Sequence, residues 1–293
     1  MTARRGHGLA ALGLAGPAVL LVLALLILPS FAVLGIALTD WQFGAPEIRF
    51  VGLRNFSALA GDPIFWMALR QTFAFVALTV PLTVVLGLCV ALLIDSGRSW
   101  RDVWRAVHFL PFMATMAAMA LAWEALLHPT IGLVNQTLRG MGLPTANWLR
   151  DEATALPVLG AIFVWQNLGF AMVLFLAGLR SIPAELYDAA AVDGADDGIA
   201  RHVTVTLPLL GPSFMFILIV VSLRAFETFD TVRILTQGGP AQSSEMLLHR
   251  LFVESFDFLR TGHGAAIAVV FLGIVVALTL LQARVLDRKV HYG

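Results

Sequence analysis

The sequence predicts an all-α polytopic membrane protein with about six transmembrane helices. Three observations carry that expectation: a scarcity of charge, a set of long apolar runs, and an uneven placement of arginine. Of 293 residues, 59% are hydrophobic and 13% are charged, with a mean hydropathy of +0.85. A soluble domain carries about 25% charged residues, so much of this surface faces something other than water. The formal net charge is zero, which leaves no electrostatic footprint for nucleic acid. The single cysteine, Cys89, lies in an apolar run. It excludes an intrachain disulfide and reads as a packing residue rather than a metal or redox group.

About six stretches are long and apolar enough to cross roughly 30 Å of hydrocarbon. They are Leu9–Leu38, Phe73–Ile94, Val107–Leu127, Ala155–Leu179, Leu209–Phe226 and Gly264–Leu286. Lipid offers no water to unpaired backbone groups, so each is expected to be helical. Pro29, Pro81 and Pro111 are tolerated where neighbouring groups satisfy the freed carbonyls. The first run follows Arg4 and Arg5, in the manner of a signal peptide. It is too long for the apolar core of one and shows no small-residue cleavage site, so it is read as a retained span.

Orientation follows from Lys and Arg near the span ends. Short segments hold Arg4, Arg5, Arg98, Arg101, Arg105, Arg180, Arg201, Arg284, Arg288 and Lys289. The alternate, longer loops hold Arg49, Arg54, Arg139, Arg150, Arg233, Arg250 and Arg260. The density of charge places both termini in the cytoplasm, with the loops around Arg98 and from Arg180 to Pro208. The loops Asp40–Trp66, His128–Thr154 and Val232–His263 then lie outside, where Trp41, Trp66 and Trp148 suit the membrane interface. The expected organisation is a first helix and external loop over 1–66, a five-helix transmembrane domain over 67–286, and a cytoplasmic tail over 287–293.

The loop between the fourth and fifth runs carries the strongest local signal. Ser181 can cap a helix and Pro183 fits its first turn. Glu185 and Asp188 complement the positive end of the dipole. Ala189–Ala191 favour helix, and Gly194 is a natural stop. The expected product is a helix of about three turns outside the membrane, with a small, flat alanine face open to close approach by another protein. Pro208 suits the first turn of the fifth span.

These residues resemble a known family. Asp188-Ala189-Ala190, then Gly194, then Leu207-Pro208, is similar to the EAA loop of permeases of binding-protein-dependent ABC importers. The string from Gly178 to Ala195 is close to the pattern of the carbohydrate-import branch, of maltose and glycerol-3-phosphate type. Phe50–Phe56, Phe109–Pro111, Gly132–Asn135 and Thr236–Pro240 match that branch in the same order, so the resemblance runs along nearly the whole chain. Two departures are Asp188, where the family has Glu, and Gln71, where Asn is common. The spacing from Gly194 to Pro208 is also one residue longer than usual.

The resemblance implies a type I importer permease fold, in which the loop is a coupling helix docked on a separate ATPase. Glu185, Asp188, Ala189, Ala190 and Gly194 are then the docking element, and Leu207 and Pro208 link it to the fifth span. It also implies the partners: a second homologous permease, two ATP-binding subunits and an extracytoplasmic solute-binding protein. No cofactor is expected on this chain, with ATP and Mg used by the partner subunits. The chain is not expected to be an enzyme. A P-loop needs a Gly-rich turn ending in Lys-Ser/Thr, and the only lysine is Lys289 near the C-terminus.

Polar residues inside the runs are candidates for the solute path, because ionisable groups in spans are costly and face a cavity or a partner. Gln166 and Asn167 fall near the middle of the fourth run. Arg224 and Glu227 are three apart and share a helical face near the end of the fifth. Amides and carboxylates suit hydrogen bonding to a hydroxylated solute. An Arg–Glu pair between subunits, or snorkelling, is the competing reading, and Asp230 reads as solvated. The expected cargo is a neutral sugar, with glycerol-3-phosphate or its diesters as the alternative. A gradient-driven transporter would show matching halves and midplane carboxylates. A membrane enzyme would need a convergent His/Asp/Ser or metal cluster. The sequence displays neither.

Overall fold

Apolar runs become helices throughout the computed structural model, which describes residues 14–97, 99–195 and 198–287, with side chains through 284. Arg4, Arg5, His7, Arg98, Arg288, Lys289 and His291, and the start of the first run at Leu9, lie outside the described residues. No strand forms among the described residues; an isolated bridge joins Thr39 to Phe50.

The helices are α1 (Leu14–Ala37), α2 (Arg54–Ala60), α3 (Pro63–Ser96), α4 (Arg101–Met113), α5 (Met116–Leu126), α6 (Leu133–Gly140), α7 (Ala155–Arg180) and α8 (Ala184–Val192). Then follow α9 (Gly198–Leu209), α10 (Gly211–Phe226), the π-helical turn α11 (Val232–Thr236), α12 (Leu247–Phe252) and α13 (Thr261–Asp287). Among the described residues, α1, α3, α7 and α13 are each long and apolar enough to cross a membrane. The number rises to six if α4 with α5, and α9 with α10, each form one broken span.

The structure corrects the sequence reading of the third run and of Pro208. The third run is not one helix: α4 and α5 meet at 100°. Ala114 and Thr115 are both extended, with ψ of 146° and 141°, and two such residues cannot continue a helical ladder. Pro111, without an N–H, weakens the turn just before the break. In the fifth run, α10 starts at Gly211 with Pro212 in its first turn, and α9 meets it at 69°. Pro208 therefore lies in the last turn of α9 rather than opening the span. The π-helical turn His202–Thr206 sits just ahead of it, where the proline ring would crowd the carbonyl four residues back.

Two compact units make up the chain: one contains the described chain up to Phe65 with Arg250–Gly273, the other Trp66–His249 and the segment from Ile274 onward. In the first unit the polar groups are densely paired. Asn55, inside the Phe50–Phe56 motif, donates to the carbonyls of Ala37 and Thr39, both at 2.8 Å, and so closes the C-terminal end of α1. Glu254 is fully buried and ion-paired to Arg250 and Arg260.

The second unit is organised around α7. Its apolar residues would be equally at home in lipid, so packing contacts rather than hydrophobicity must place it inside. Three glycines let other helices touch its backbone. A Cβ on Gly160 would stand 3.2 Å from Thr79 of α3, one on Gly169 would stand 2.0 Å from the His108 carbonyl of α4, and one on Gly178 would stand 2.4 Å from Ser213 of α10. Phe75, Ile162, Phe175 and Ile217 fill the space between these crossings.

Candidate functional site

The loop predicted to dock a partner forms as a separate, exposed helix. Pro183 stands at its N-cap in an extended conformation (φ −60°, ψ 134°) and Glu185 occupies the first turn. Ser181 does not cap it: its hydroxyl donates to Gly178 O at 2.7 Å, on the end of α7. The stop at Gly194 forms as expected, with φ +86°. Gly194 N–H donates to Ala191 O at 3.1 Å and Ala195 N–H to Ala190 O at 2.8 Å, the two bonds of a Schellman closure. Glu185, Asp188, Ala189 and Gly194 are exposed, whereas Ala190 is buried, so the Asp188-Ala189-Ala190 motif has an outward and an inward side. Leu207 and Pro208 are exposed near the end of α9.

Tyr187, which sequence reasoning passed over, ties this helix to the next. Its hydroxyl lies 3.3 Å from Thr206 Oγ1, and the Arg201 guanidinium sits 4.1 Å above its ring. The one aromatic residue in a short helix of acidic and aliphatic residues was the available signal. Alongside it, Leu186, Val192, Ile199 and Val203 are exposed, an apolar surface of the kind that protein partners cover.

The structure gathers Asn167, Arg224 and Glu227 into one cavity of about 140 Å³, with Met116, Phe163, Thr228, Phe229 and Asp230. Three segments meet there: the middle of α7, the end of α10 with the loop after it, and the start of α5. Asn167 is buried and donates from Nδ2 to Phe163 O at 2.9 Å. Arg224 lies over aromatic rings, 4.6 Å from Phe112 and 5.2 Å from Phe170, which stack on each other at 4.9 Å. This cation–π seat orients the guanidinium. Asp230, read as merely solvated, lines the cavity. Gln166 does not. It is buried, and its Oε1 has no hydrogen-bond partner among the described residues.

A second polar knot underlies the Gly132–Asn135 motif. Asn135 donates to Pro129 O (3.0 Å) and Ala146 O (2.8 Å) and accepts from Trp148 Nε1 (2.9 Å). Gln71 and Thr72 of α3 reach the segment after the Gly-Gly-Pro motif. Gln71 Nε2 donates to Gln242 O, and Thr72 Oγ1 accepts from Leu247 N–H, both at 2.9 Å.

Apolar spans, two of them broken, that line a small polar cavity and carry an exposed loop helix are the features of a polytopic membrane transport component. Comparison with known proteins makes this specific. The profile of the family described as "binding-protein-dependent transport system inner membrane component" matches residues 68–292. A probable ABC transporter permease protein, YurN of Bacillus subtilis, is 35% identical over 90% of this chain and 92% of its own length. The sn-glycerol-3-phosphate transport system permease protein UgpA of Agrobacterium fabrum is 34% identical, covering 84% of this chain and 83% of its own. A sulfoquinovosyl glycerol transport system permease protein, SmoG, from the same organism is 32% identical, over 82% and 78%. A bacterial alginate ABC transporter, crystallised with a periplasmic protein that holds an alginate pentasaccharide, contains a chain of the same fold. It has a TM-score of 0.85 at 21% identity, covering 99% of this chain and 97% of that one. The chain belongs to the binding-protein-dependent transport system inner membrane component family, as a multi-pass permease subunit of an ABC importer.

Proposed function

We propose that this permease forms half of the path for an uncharged sugar and is driven through the α8 loop by a separate ATPase. Its companions in this reading are a second homologous permease, two ATP-binding subunits that use ATP and Mg, and an extracytoplasmic solute-binding protein. Both termini and α8 face the cytoplasm, as the arginine distribution suggests.

The observation that carries the coupling is a continuous mechanical line. Glu185, Asp188 and Ala189 offer an exposed face. The Schellman closure at Gly194 fixes the helix end, and Tyr187 latches α8 to α9 through Thr206. Leu207 and Pro208 lead α9 into the bend with α10. The 16 residues of α10 span about 24 Å, and its far end presents Arg224 and Glu227 to the polar cavity. In this reading a force on α8 passes through α9 and its bend into α10 and so reaches the candidate solute site, as alternating access requires.

Charge in the cavity supports the solute class. Arg224 is one cation; Glu227 and Asp230 are two carboxylates. A phosphate seat favours converging cations, and here the carboxylates outnumber them. Hydrogen-bonding groups beside Phe229 and Phe163 suit a sugar, with hydroxyls on its edge and an apolar face. The glycerol-3-phosphate permeases among the relatives keep glycerol-3-phosphate and its diesters as the second reading.

The test is ATP hydrolysis by the assembled transporter in nanodiscs, stimulated by binding protein loaded with maltose, trehalose, glucose or glycerol-3-phosphate. Stimulation by one sugar, lost in Gly194→Trp with assembly intact, is the expected result. Stimulation by glycerol-3-phosphate alone overturns the solute class. An unchanged response in Gly194→Trp overturns the coupling role.

A further inference from the structure

Behind the cavity, on its Phe229 side, lies a buried polar pair that the transport reading does not use. His249, in α12, is 1% exposed and Glu245 is 6% exposed. His249 Nδ1 donates to Glu245 Oε1 at 3.0 Å, while Nε2 is buried with no hydrogen-bond partner among the described residues. The imidazole therefore has a single polar anchor, which sets the plane of its ring. Phe229 packs on that ring, with centroids 6.3 Å apart and planes 33° from parallel, and Phe229 itself lines the polar cavity.

The carboxylate lies directly against the Gly-Gly-Pro motif. A Cβ on Gly238, where φ is +80°, would lie 2.0 Å from Glu245 Oε2 and 3.3 Å from His249 Cε1. Glycine is favoured there by the positive φ, and a side chain would displace the Glu245 carboxylate. Ser244 N–H donates to Gly238 O at 3.2 Å, and Ser244 Oγ to Gly239 O at 2.6 Å, so the turn wraps the acid. Burying such a pair costs desolvation free energy, and an apolar pair of equal size would suffice for packing alone. What the polar pair adds is a direction, which an apolar pair lacks.

We propose that Glu245 and His249 are positioning residues that orient Phe229 as a wall of the solute cavity, and through it tune solute affinity. The proposal rests on the reading of that cavity as the solute path.

The first test reads Phe229 directly. The assembled transporter in nanodiscs carries 4-fluorophenylalanine at position 229, observed by fluorine NMR. Glu245→Leu and His249→Ala should shift and broaden its line. Glu245→Gln keeps an oxygen that accepts from Nδ1–H and should leave the line near its original position. An unmoved line in both Glu245→Leu and His249→Ala overturns the proposal.

The second test reads the solute. Radiolabelled maltose, or the panel sugar that replaces it, is trapped in the vanadate-arrested complex at graded concentration. Loss of one oriented contact should raise the half-saturating concentration about fivefold in Glu245→Leu and in Phe229→Ala. The double variant should be no worse than the single ones, because the pair acts through Phe229. Additive losses, or unchanged retention in Glu245→Leu while Asn167→Ala alters it, overturn the proposal. If Asn167→Ala and Glu227→Gln also leave retention unchanged, the cavity reading itself fails, and the tuning claim falls with it. The fluorine line then still decides separately whether the pair orients Phe229.

Discussion

Helices α1 and α7 have similar lengths and opposite fates. None of the apolar window of α1 is buried within this chain, while 61% of that of α7 is. Leu20, Leu25 and Phe31 of α1 stand more than half exposed, whereas Phe163, Met172 and Phe175 of α7 are almost wholly enclosed. The enclosed helix is the less apolar of the two. In lipid, apolarity draws a helix into the membrane without deciding what lies beside it. The difference lies in side-chain size and polarity: α7 carries Gly160, Gly169 and Gly178 where other helices cross, and Asn167 where the cavity opens.

The sharpest way to break this comparison is one substitution made in both helices. Gly169→Ala places a methyl group 2.0 Å from a backbone carbonyl of α4, and a backbone atom cannot swing aside. Overpacking there should cost about 3 kcal/mol, read as a large fall in the thermal midpoint of the detergent-solubilised complex, and should lower assembled yield. A midpoint within a degree of the parent would show that the α4–α7 crossing is not as close as described.

Asn135→Ala should cost less, about 2 kcal/mol. It strands the Trp148 indole N–H and the carbonyls of Pro129 and Ala146 that it now satisfies. Proteolysis in the loop 128–150 should accelerate while the remaining helices keep their protection. Equal protection along the whole chain would argue that the knot is dispensable.

Gly194→Ala probes backbone strain alone, since nothing lies within 4 Å of the added methyl. Holding alanine at φ +86° should cost about 1 kcal/mol. In the proposed scheme this loosens α8, so stimulated ATP hydrolysis should fall more than stability does.

The smallest effect belongs to α1. Gly35→Ala also meets nothing within 4 Å, at ordinary helical φ, so the better helix former should change stability by no more than about 1 kcal/mol, in the favourable direction. A large loss in the assembled complex, absent from the isolated chain, would reveal a partner packed tightly on this face.

The helices were legible in the sequence to the degree that composition fixes them. Ala155–Leu179 was readable as a span because a charge-free, mostly apolar stretch of that length has no other stable state in lipid. The end of α8 was readable at Gly194 because a left-handed turn favours glycine. The break at Ala114 and Thr115 was not, since a bent apolar run and a straight one share the same composition, and Pro111 marks only a weak point. Ser181 has a capping residue's chemistry, but its hydroxyl reached the end of α7 first. Pro208 fits the first turn of a helix equally well, yet the bend falls after it.

What the sequence determined by itself is that this chain enters a membrane as helices and that the segment 181–208 resembles a docking loop. Those are local matters of apolar length, proline, glycine and charge. Tertiary structure alone decided which polar residues share a cavity. Asn167, Arg224, Glu227 and Asp230 converge only because α7 and α10 cross at Gly178 and the third span breaks beside them. Gln166, adjacent in sequence to Asn167, is turned away because successive helical residues point about 100° apart.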